Sequence, residues 1–184
     1  MSEKYIYSGN IKHTEKTIQN LFKTQYFTFE KWRIAGRFSV GILLIIAAVS
    51  LNIPVWARVL LLIPGTWLAV SGDFPAQITA DKVLQARKNK LPVMNYEFYG
   101  DHIKISGEGE MNIDYKNLKF LVQDDEYLYL FIAKNSVCMI EKSSLENSNE
   151  FKSFIQNKTG LEWTRQKNFM AMNINDLKQI FRSK

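Results

Sequence analysis

Three side chains in this sequence have the chemistry of a nucleophile or a metal ligand: Cys138, His13 and His102. A reactive thiol needs a His or a basic partner, and none is evident beside Cys138, which lies in an apolar run. A single Cys also excludes an intrachain disulfide and a multi-cysteine zinc site, and the two His residues are far apart in the sequence. We therefore expect Cys138 in the core, the two His residues solvated or capping at element edges, and no catalytic residue, metal or cofactor.

Two turns hold groups that bind ions in other proteins. Gly107-Glu108-Gly109 lacks the helix start that would aim backbone N–H groups at a phosphate, so we interpret it as a hairpin turn. Asp124-Asp125-Glu126 offers carboxylates to a cation, but calcium loops place their ligands at alternating positions around a central Gly. A solvated turn is the favoured interpretation of the second segment.

The net charge gives a stronger indication than any of these groups. The chain has 184 residues and a formal charge of +6, of which residues 1–37 carry +4 and residues 73–184 only +1. A basic protein of this size invites a nucleic-acid partner, but no recognition motif accompanies the charge. The positive charge instead borders an apolar segment, which favours a lipid bilayer as the partner and no nucleic acid.

That apolar segment lies between Arg37 and Asp73, where 35 residues include a single charge, Arg58. Residues 38–57 are 20 uncharged residues, the length that a helix needs to cross a bilayer core of about 30 Å. Residues 59–72 are too few, and reach that length only if the helix begins near Ile53 and Arg58 snorkels to the headgroups.

The sequence therefore predicts a transmembrane hairpin over residues 34–72, with helices at about 34–52 and 54–72 and a kink or break at Pro64-Gly65. A buried helical pair in a soluble core is the alternative. It is disfavoured because residues 38–51 lack the polar stripe of such a helix. A cleaved signal peptide is also disfavoured, since the apolar run begins after 37 residues and is too long.

Basic and aromatic residues flank the hairpin and are the predicted site residues, acting at lipid headgroups. Basic side chains are far more numerous at the ends of the hairpin than in its connecting loop, so the positive-inside rule predicts a multi-pass cell-membrane protein with both termini cytoplasmic. Their role as topology determinants is as good an interpretation as a specific lipid preference. The predicted basic residues are Lys31, Arg33, Arg37, Arg58, Arg87, Lys88 and Lys90, and the interfacial aromatic residues are Trp32, Trp56 and Trp67.

The remaining segments have their own patterns. Residues 1–33 are expected to form a short strand ending at Gly9-Asn10 and an amphipathic helix, and residues 73–91 a juxtamembrane helix, the two helices making a stalk or collar. From residue 92 the apolar period becomes 2, which predicts six antiparallel strands and a closing helix that ends at Gly160. Residues 161–184 are a C-terminal extension with a short helix signal.

This order of segments resembles the YcxB-like family of small bacterial membrane proteins over roughly residues 3–158. The resemblance rests on the arrangement and on phrases such as Tyr96-Glu97-Phe98-Tyr99 before Gly100-Asp101, the Ile113-Asp114-Tyr115 segment leading to Phe120, and the Tyr127–Ile132 strand. It implies an α+β membrane protein, in which a two-helix transmembrane hairpin joins a pleckstrin-homology-like antiparallel β domain over residues 92–160 with a C-terminal capping helix. It carries no catalytic or binding residues.

We therefore expect a non-enzymatic inner-membrane protein whose cytoplasmic β domain binds a protein, a peptide or lipid. An extended peptide added to a free sheet edge is the natural mode for such a domain. The small size and the hairpin leave open an immunity protein that protects against a bacteriocin or toxin. A membrane enzyme ranks last, because no paired carboxylates or triad stand out. The oligomeric state stays open, since the first apolar helix has small residues but no GxxxG spacing.

Overall fold

The computed structural model describes residues 4–87 and 90–166 as an α+β fold of five helices and two four-stranded sheets. The helices are α1 (Glu15–Phe29), α2 (Lys31–Ser50), α3 (Val55–Val70), α4 (Phe74–Ala86) and α5 (Ser148–Thr159). The strands are β1 (Tyr7–Lys12), β2 (Val93–Phe98), β3 (His102–Ser106), β4 (Glu110–Asp114), β5 (Phe120–Gln123), β6 (Tyr127–Ala133), β7 (Ser136–Glu141) and β8 (Trp163–Arg165). The expected short helix within residues 161–184 falls largely outside the described residues.

The first sheet has the order β1-β2-β3-β4 and is antiparallel throughout. Its first strand comes from before the helices and pairs Tyr7 with Phe98 and Lys12 with Val93. This strand runs through Gly9-Asn10, where the sequence predicted its end. The reason lies in the packing, because a Cβ at Gly9 would lie 2.8 Å from Ile140 Cγ2 of β7, so the absence of a side chain lets the two sheets meet.

The second sheet has the order β7-β6-β5-β8. Its first three strands are antiparallel, and β8 adds to β5 in parallel with Leu121 opposite Trp163. Strand β8 is not predicted by the sequence pattern, since three residues are too few to show a period. The Trp163 indole N–H donates to the Lys152 carbonyl of α5 at 3.0 Å, so β8 also fastens α5 to this sheet.

The core lies between the two sheets and is closed by α5. Phe151 and Ile155 of this helix are fully buried, and the Phe151 ring meets the Phe98 ring edge-on at 4.7 Å. Asn147 caps the start of α5 and Gly160, at φ 67°, ends it in the left-handed conformation. This closing helix is the one that the sequence predicted.

Helix α1 packs across the outer face of the second sheet. Every residue from Tyr127 to Phe131 of β6 is buried, although a strand with one solvent-facing side would alternate. The Phe29 ring lies 5.3 Å from the Phe131 ring, and Leu21 also packs against this core. Helix α1 was expected to form part of a stalk or collar. It packs instead on the β region, because its apolar side chains contact the outer face of β6.

Candidate membrane interface

Helices α2 and α3 form an antiparallel pair whose backbones approach each other at two glycines. A Cβ at Gly41 would lie 2.8 Å from the Gly65 carbonyl oxygen and 3.0 Å from the Ala69 nitrogen. A Cβ at Gly65 would lie 3.1 Å from the Gly41 carbonyl oxygen. The absence of side chains at both positions therefore lets the two backbones meet, as small residues do between membrane helices.

The kink or break predicted at Pro64-Gly65 is not a break, because α3 continues through Pro64 to Val70. A proline removes one backbone donor and its ring crowds the carbonyl of residue i−4, which can bend a helix without ending it. Residues 51–54 connect the two helices, at the position where the sequence places the turn.

The sides of α2 and α3 that face away from each other are apolar and exposed. Only 17% of the apolar 18-residue stretch of α2 is buried inside the protein. The most exposed side chains include Leu43 at 63% and Val49 at 69% in α2, and Leu60 at 64% and Ile63 at 66% in α3. A soluble helix places polar residues on such a face. This pair therefore has no polar surface to offer water along most of its length.

Among the described residues, α2 is the one helix that is by itself long and apolar enough to cross a membrane. Helix α3 has 16 residues and meets the length requirement only together with α4, to which it is bent by 66°. Of the two predicted hairpin helices, α2 alone therefore has the length of a span. The second, expected at about 54–72 and already short in the sequence, ends at Val70, because residues 71–73 leave the helix before α4 begins.

A polar cluster closes the end of the pair at which α2 begins and α3 ends. The Arg37 guanidinium lies 5.8 Å from the centre of the Trp67 ring and donates to the Ser71 carbonyl and hydroxyl oxygens at 3.3 and 3.2 Å. Next to it, Lys23 and Asp73 form an ion pair at 3.2 Å between α1 and the start of α4. Cationic and aromatic side chains in this arrangement are typical of a membrane boundary.

The other predicted site residues are spread over three places. Lys31, Trp32 and Arg33 are exposed in the first turn of α2, near Arg37, whereas Arg58 and Trp56 are exposed at the opposite end of the pair. Trp32 is 73% exposed and Trp56 68%, as suits side chains that meet a membrane interface.

The third place is the far end of α4. Arg87 pairs there with Glu108 of the β3–β4 turn at 2.7 Å, and Lys90 is exposed. Thirteen helical residues, about 20 Å, separate this end from the start of α4. Arg87 is therefore engaged with the β region. Lys88 lies outside the described residues.

The carboxylates of the acidic turn Asp124-Asp125-Glu126, which the sequence offered as a cation site, are paired with nearby protein groups. Asp124 accepts from the Tyr129 hydroxyl and the Tyr127 amide, both at 2.6 Å. Glu126 pairs with Lys16 at 2.9 Å, and Asp125 with Arg165 at 2.6 Å. The hydrogen bond from Lys16 lowers the pKa of Glu126. Within the described residues no three His, Cys, Asp or Glu side chains are grouped to hold a metal.

The groups with potential nucleophilic or acid–base chemistry lie apart from one another. Cys138 is 1% exposed, and burial raises the pKa of its thiol to about 12, which suits a core residue. His102 donates a hydrogen bond from Nδ1 to the Asp101 carboxylate at 2.6 Å, and its ring stacks on Tyr99. Burial lowers the pKa of His13, where β1 leads into α1.

The sheets differ in how their edges are covered. Strand β1 lies against the loop after β7, where the backbone N–H of Asn10 donates to the Ser144 hydroxyl at 3.0 Å. Strand β5 is covered by β8. Strand β4 is the outer strand of the first sheet, and Met111 in it is 55% exposed. The sequence predicted a free sheet edge but not the strand that forms it.

Together these features define the class: an α+β protein in which a helical hairpin, containing one helix with the length and composition of a membrane span, is joined to a two-sheet β region. Residues 98–155, which run from the end of β2 into α5, match the family model of the YcxB-like proteins. The resemblance read from the sequence is thereby confirmed over these residues. No curated protein and no solved structure matches the chain.

Proposed function

We propose that this is a non-enzymatic integral membrane protein, in which the α2–α3 pair crosses the bilayer and the β region is a cytoplasmic binding module. The observation that carries the proposal is the exposed apolar surface of the pair. Leaving one large apolar side chain in water forgoes about 1.5–3 kcal/mol. For several such side chains the free energy forgone would be as large as the whole stability of a typical domain, about 5–15 kcal/mol. Insertion into lipid removes these side chains from water and so recovers that free energy.

The apolar parts of both helices are shorter than a hydrocarbon core of about 30 Å. From the boundary at Arg37, residues 38–50 of α2 span about 20 Å, and the sixteen residues of α3 span about 24 Å. Local thinning of the bilayer and snorkelling of Arg58 accommodate these lengths. Trp56 and Trp67 are about 16 Å apart along α3 and point to opposite interfaces of the thinned bilayer.

The charges support an orientation with the β region in the cytoplasm. Lys31, Arg33 and Arg37 lie at the end of the pair that joins the rest of the chain, and Arg58 lies near the other end. The positive-inside rule assigns the more basic end to the cytoplasm. Both flanking segments, and with them both termini, would then be cytoplasmic.

The β region supports the module part of the proposal through its architecture. Two sheets around one core, closed by α5, support the proposal of a pleckstrin-homology-like fold, and β4 offers an edge to which an extended peptide could add. A photoreactive amino acid at Asn112 of β4 tests this use, with Asn149 on α5 as the matched position. A cross-linked partner at Asn112 but not Asn149 is expected; equal cross-linking at both would refute strand addition.

The membrane part is tested by cysteine accessibility in membrane vesicles. A membrane-impermeant maleimide should label Asn52→Cys in right-side-out vesicles and Asn112→Cys in inverted ones. The native Cys138 stays silent because it is buried. Release of the protein by alkaline carbonate, or labelling of both positions from the same side, would refute the hairpin topology.

A further inference from the structure

One end of the second sheet is held at the point where α1 passes into α2. Glu30 separates these helices, and its carboxylate accepts a hydrogen bond from Lys134 of the β6–β7 turn. In the same turn, Asn135 accepts from the Gln25 amide of α1 at 3.0 Å. The β6–β7 turn therefore lies beside the first residue of the membrane helix, Lys31.

The start of β5 is brought to the same level by aromatic packing. The Phe29 ring, one residue before Glu30, lies 5.3 Å from both the Phe120 ring and the Phe131 ring, and each pair is edge-on. Phe120 nevertheless remains 48% exposed, and Lys119 beside it is exposed. Two parts of the β region, at residues 119–120 and 134–135, thus flank the helix junction.

The depth of this junction follows from the length of α2. The uncharged run begins at Phe38, seven residues after Lys31, so about 10 Å of helix separates Lys31 from the hydrocarbon. Each headgroup layer is about 5–8 Å thick. The junction at Glu30 therefore lies at the outer boundary of the headgroups, within reach of a lysine side chain.

The exposed side chains at this junction share one chemistry. We call them the proximal patch, which consists of Lys31, Trp32, Arg33, Lys119, Phe120 and Lys134. Four are cationic and two are aromatic. The acidic side chain placed between them, Glu30, is 14% exposed and already paired with Lys134 and Arg33. The patch is thus basic and amphipathic, which matches an anionic phospholipid surface.

We infer that the proximal patch rests on anionic phospholipid headgroups of the bilayer that holds the hairpin, so that the β region contacts the membrane through its own residues. This rests on the proposed membrane insertion of α2 and α3. The new element is the part played by Lys119, Phe120 and Lys134, which are distant from the hairpin in sequence. The contact fixes the second sheet against the membrane at its β6–β7 end and leaves its β5–β6 turn in the cytoplasm.

The test is fluorescence quenching in lipid nanodiscs with the full chain. An environment-sensitive probe is attached at Asn135→Cys, and quenching by a headgroup-attached nitroxide lipid is measured in phosphatidylcholine with and without phosphatidylglycerol. The control is Asp125→Cys in the β5–β6 turn, which lies beside the start of α1, at the other end of that helix from Glu30 and about 20 Å along it. A third probe at Leu43→Cys, with a nitroxide on the acyl chain, reports insertion of α2.

We expect strong quenching at residue 135, little at residue 125, and more at residue 135 when phosphatidylglycerol is added. Replacing Lys119 and Lys134 by Gln should reduce that increase, because two of the four cations of the patch are removed. Equal quenching at residues 135 and 125 while Leu43→Cys is quenched would overturn the inference and leave the proposed function standing. An increase of undiminished size in the Lys→Gln pair would likewise overturn the role of these lysines. Absence of quenching at Leu43→Cys would overturn both proposals.

Discussion

Adding a single methyl group at Gly41 should weaken the helical pair, whereas the same change five residues earlier should not. The new Cβ would lie 2.8 Å from the Gly65 carbonyl oxygen, about 0.6 Å short of ordinary contact at 3.4 Å. Its second neighbour, the Ala69 nitrogen at 3.0 Å, is also a backbone atom. Because backbone atoms cannot rotate away, the two helices must separate, and overpacking of this kind costs about 1–3 kcal/mol.

Gly36 provides the matched control, since it lies in the same helix and a Cβ there would meet nothing within 4 Å. Both substitutions gain the same helix propensity, about 1 kcal/mol, so the difference between them isolates the packing at the crossing. We expect Gly41→Ala to be less stable than Gly36→Ala by about 1–3 kcal/mol. At about 2–4 °C per kcal/mol, Tm should be about 2–12 °C lower.

The assay is thermal unfolding followed by tryptophan emission, with all variants in one detergent. Gly65→Ala should fall between the two, because its nearest neighbours lie at 3.1 Å rather than 2.8 Å and one of them, Ile45 Cγ1, can move by rotation of its side chain. Equal Tm values for Gly41→Ala and Gly36→Ala would show that the helices separate at no cost. The glycine crossing would then not be what holds the pair together.

Three further predictions concern the β region and its junction with α1. Burial lowers the pKa of His13 below 6.5, so the folded state binds fewer protons than the unfolded state; its contribution should be complete above pH 6.5 and decline as the pH falls below it. His13→Gln should flatten this part of the Tm–pH curve, and an unchanged slope would contradict the assignment. Cys138 should react with a maleimide at neutral pH only after denaturation, because the thiol is buried and its pKa is raised to about 12; equal rates before and after would contradict this. Asp124→Ala should lower the free energy of unfolding by about 1–3 kcal/mol, because the Tyr129 hydroxyl loses its acceptor. The control Asp125→Ala, at an 86% exposed side chain, should cost under about 1 kcal/mol in the same denaturation experiment, and equal losses would refute the distinction.

Local patterns predicted the elements of this fold well where a segment is long and periodic. The apolar length of α2 and the stop of α5 at Gly160 both depend on neighbouring residues in the chain. The predicted end of β1 was wrong, because Gly9 permits close packing against Ile140, which lies 131 positions away in the sequence. A glycine that permits close packing and a glycine that ends a strand look the same in a sequence.

The candidate site was only partly predictable for a related reason. Basic residues near an apolar run can be read from the sequence, and Lys31, Arg33 and Arg37 do gather at one end of the hairpin. The positions of Arg87, which contacts the β3–β4 turn, and of Lys134, which contacts Glu30, depend on how α1 and α4 pack on the β region. No local pattern encodes those contacts.

The sequence by itself determined the class of each segment: an apolar hairpin with basic ends, an alternating β region, and a closing helix. Segment class depends on the polarity and period of neighbouring side chains, which folding does not change. The tertiary structure decided that α1 covers β6, that β8 closes the edge of β5, that two glycines form the helix crossing, and that residues 119–120 and 134–135 lie beside the membrane helix. These features require the complementary shapes of surfaces far apart in the chain, and such shapes exist only once the elements have packed.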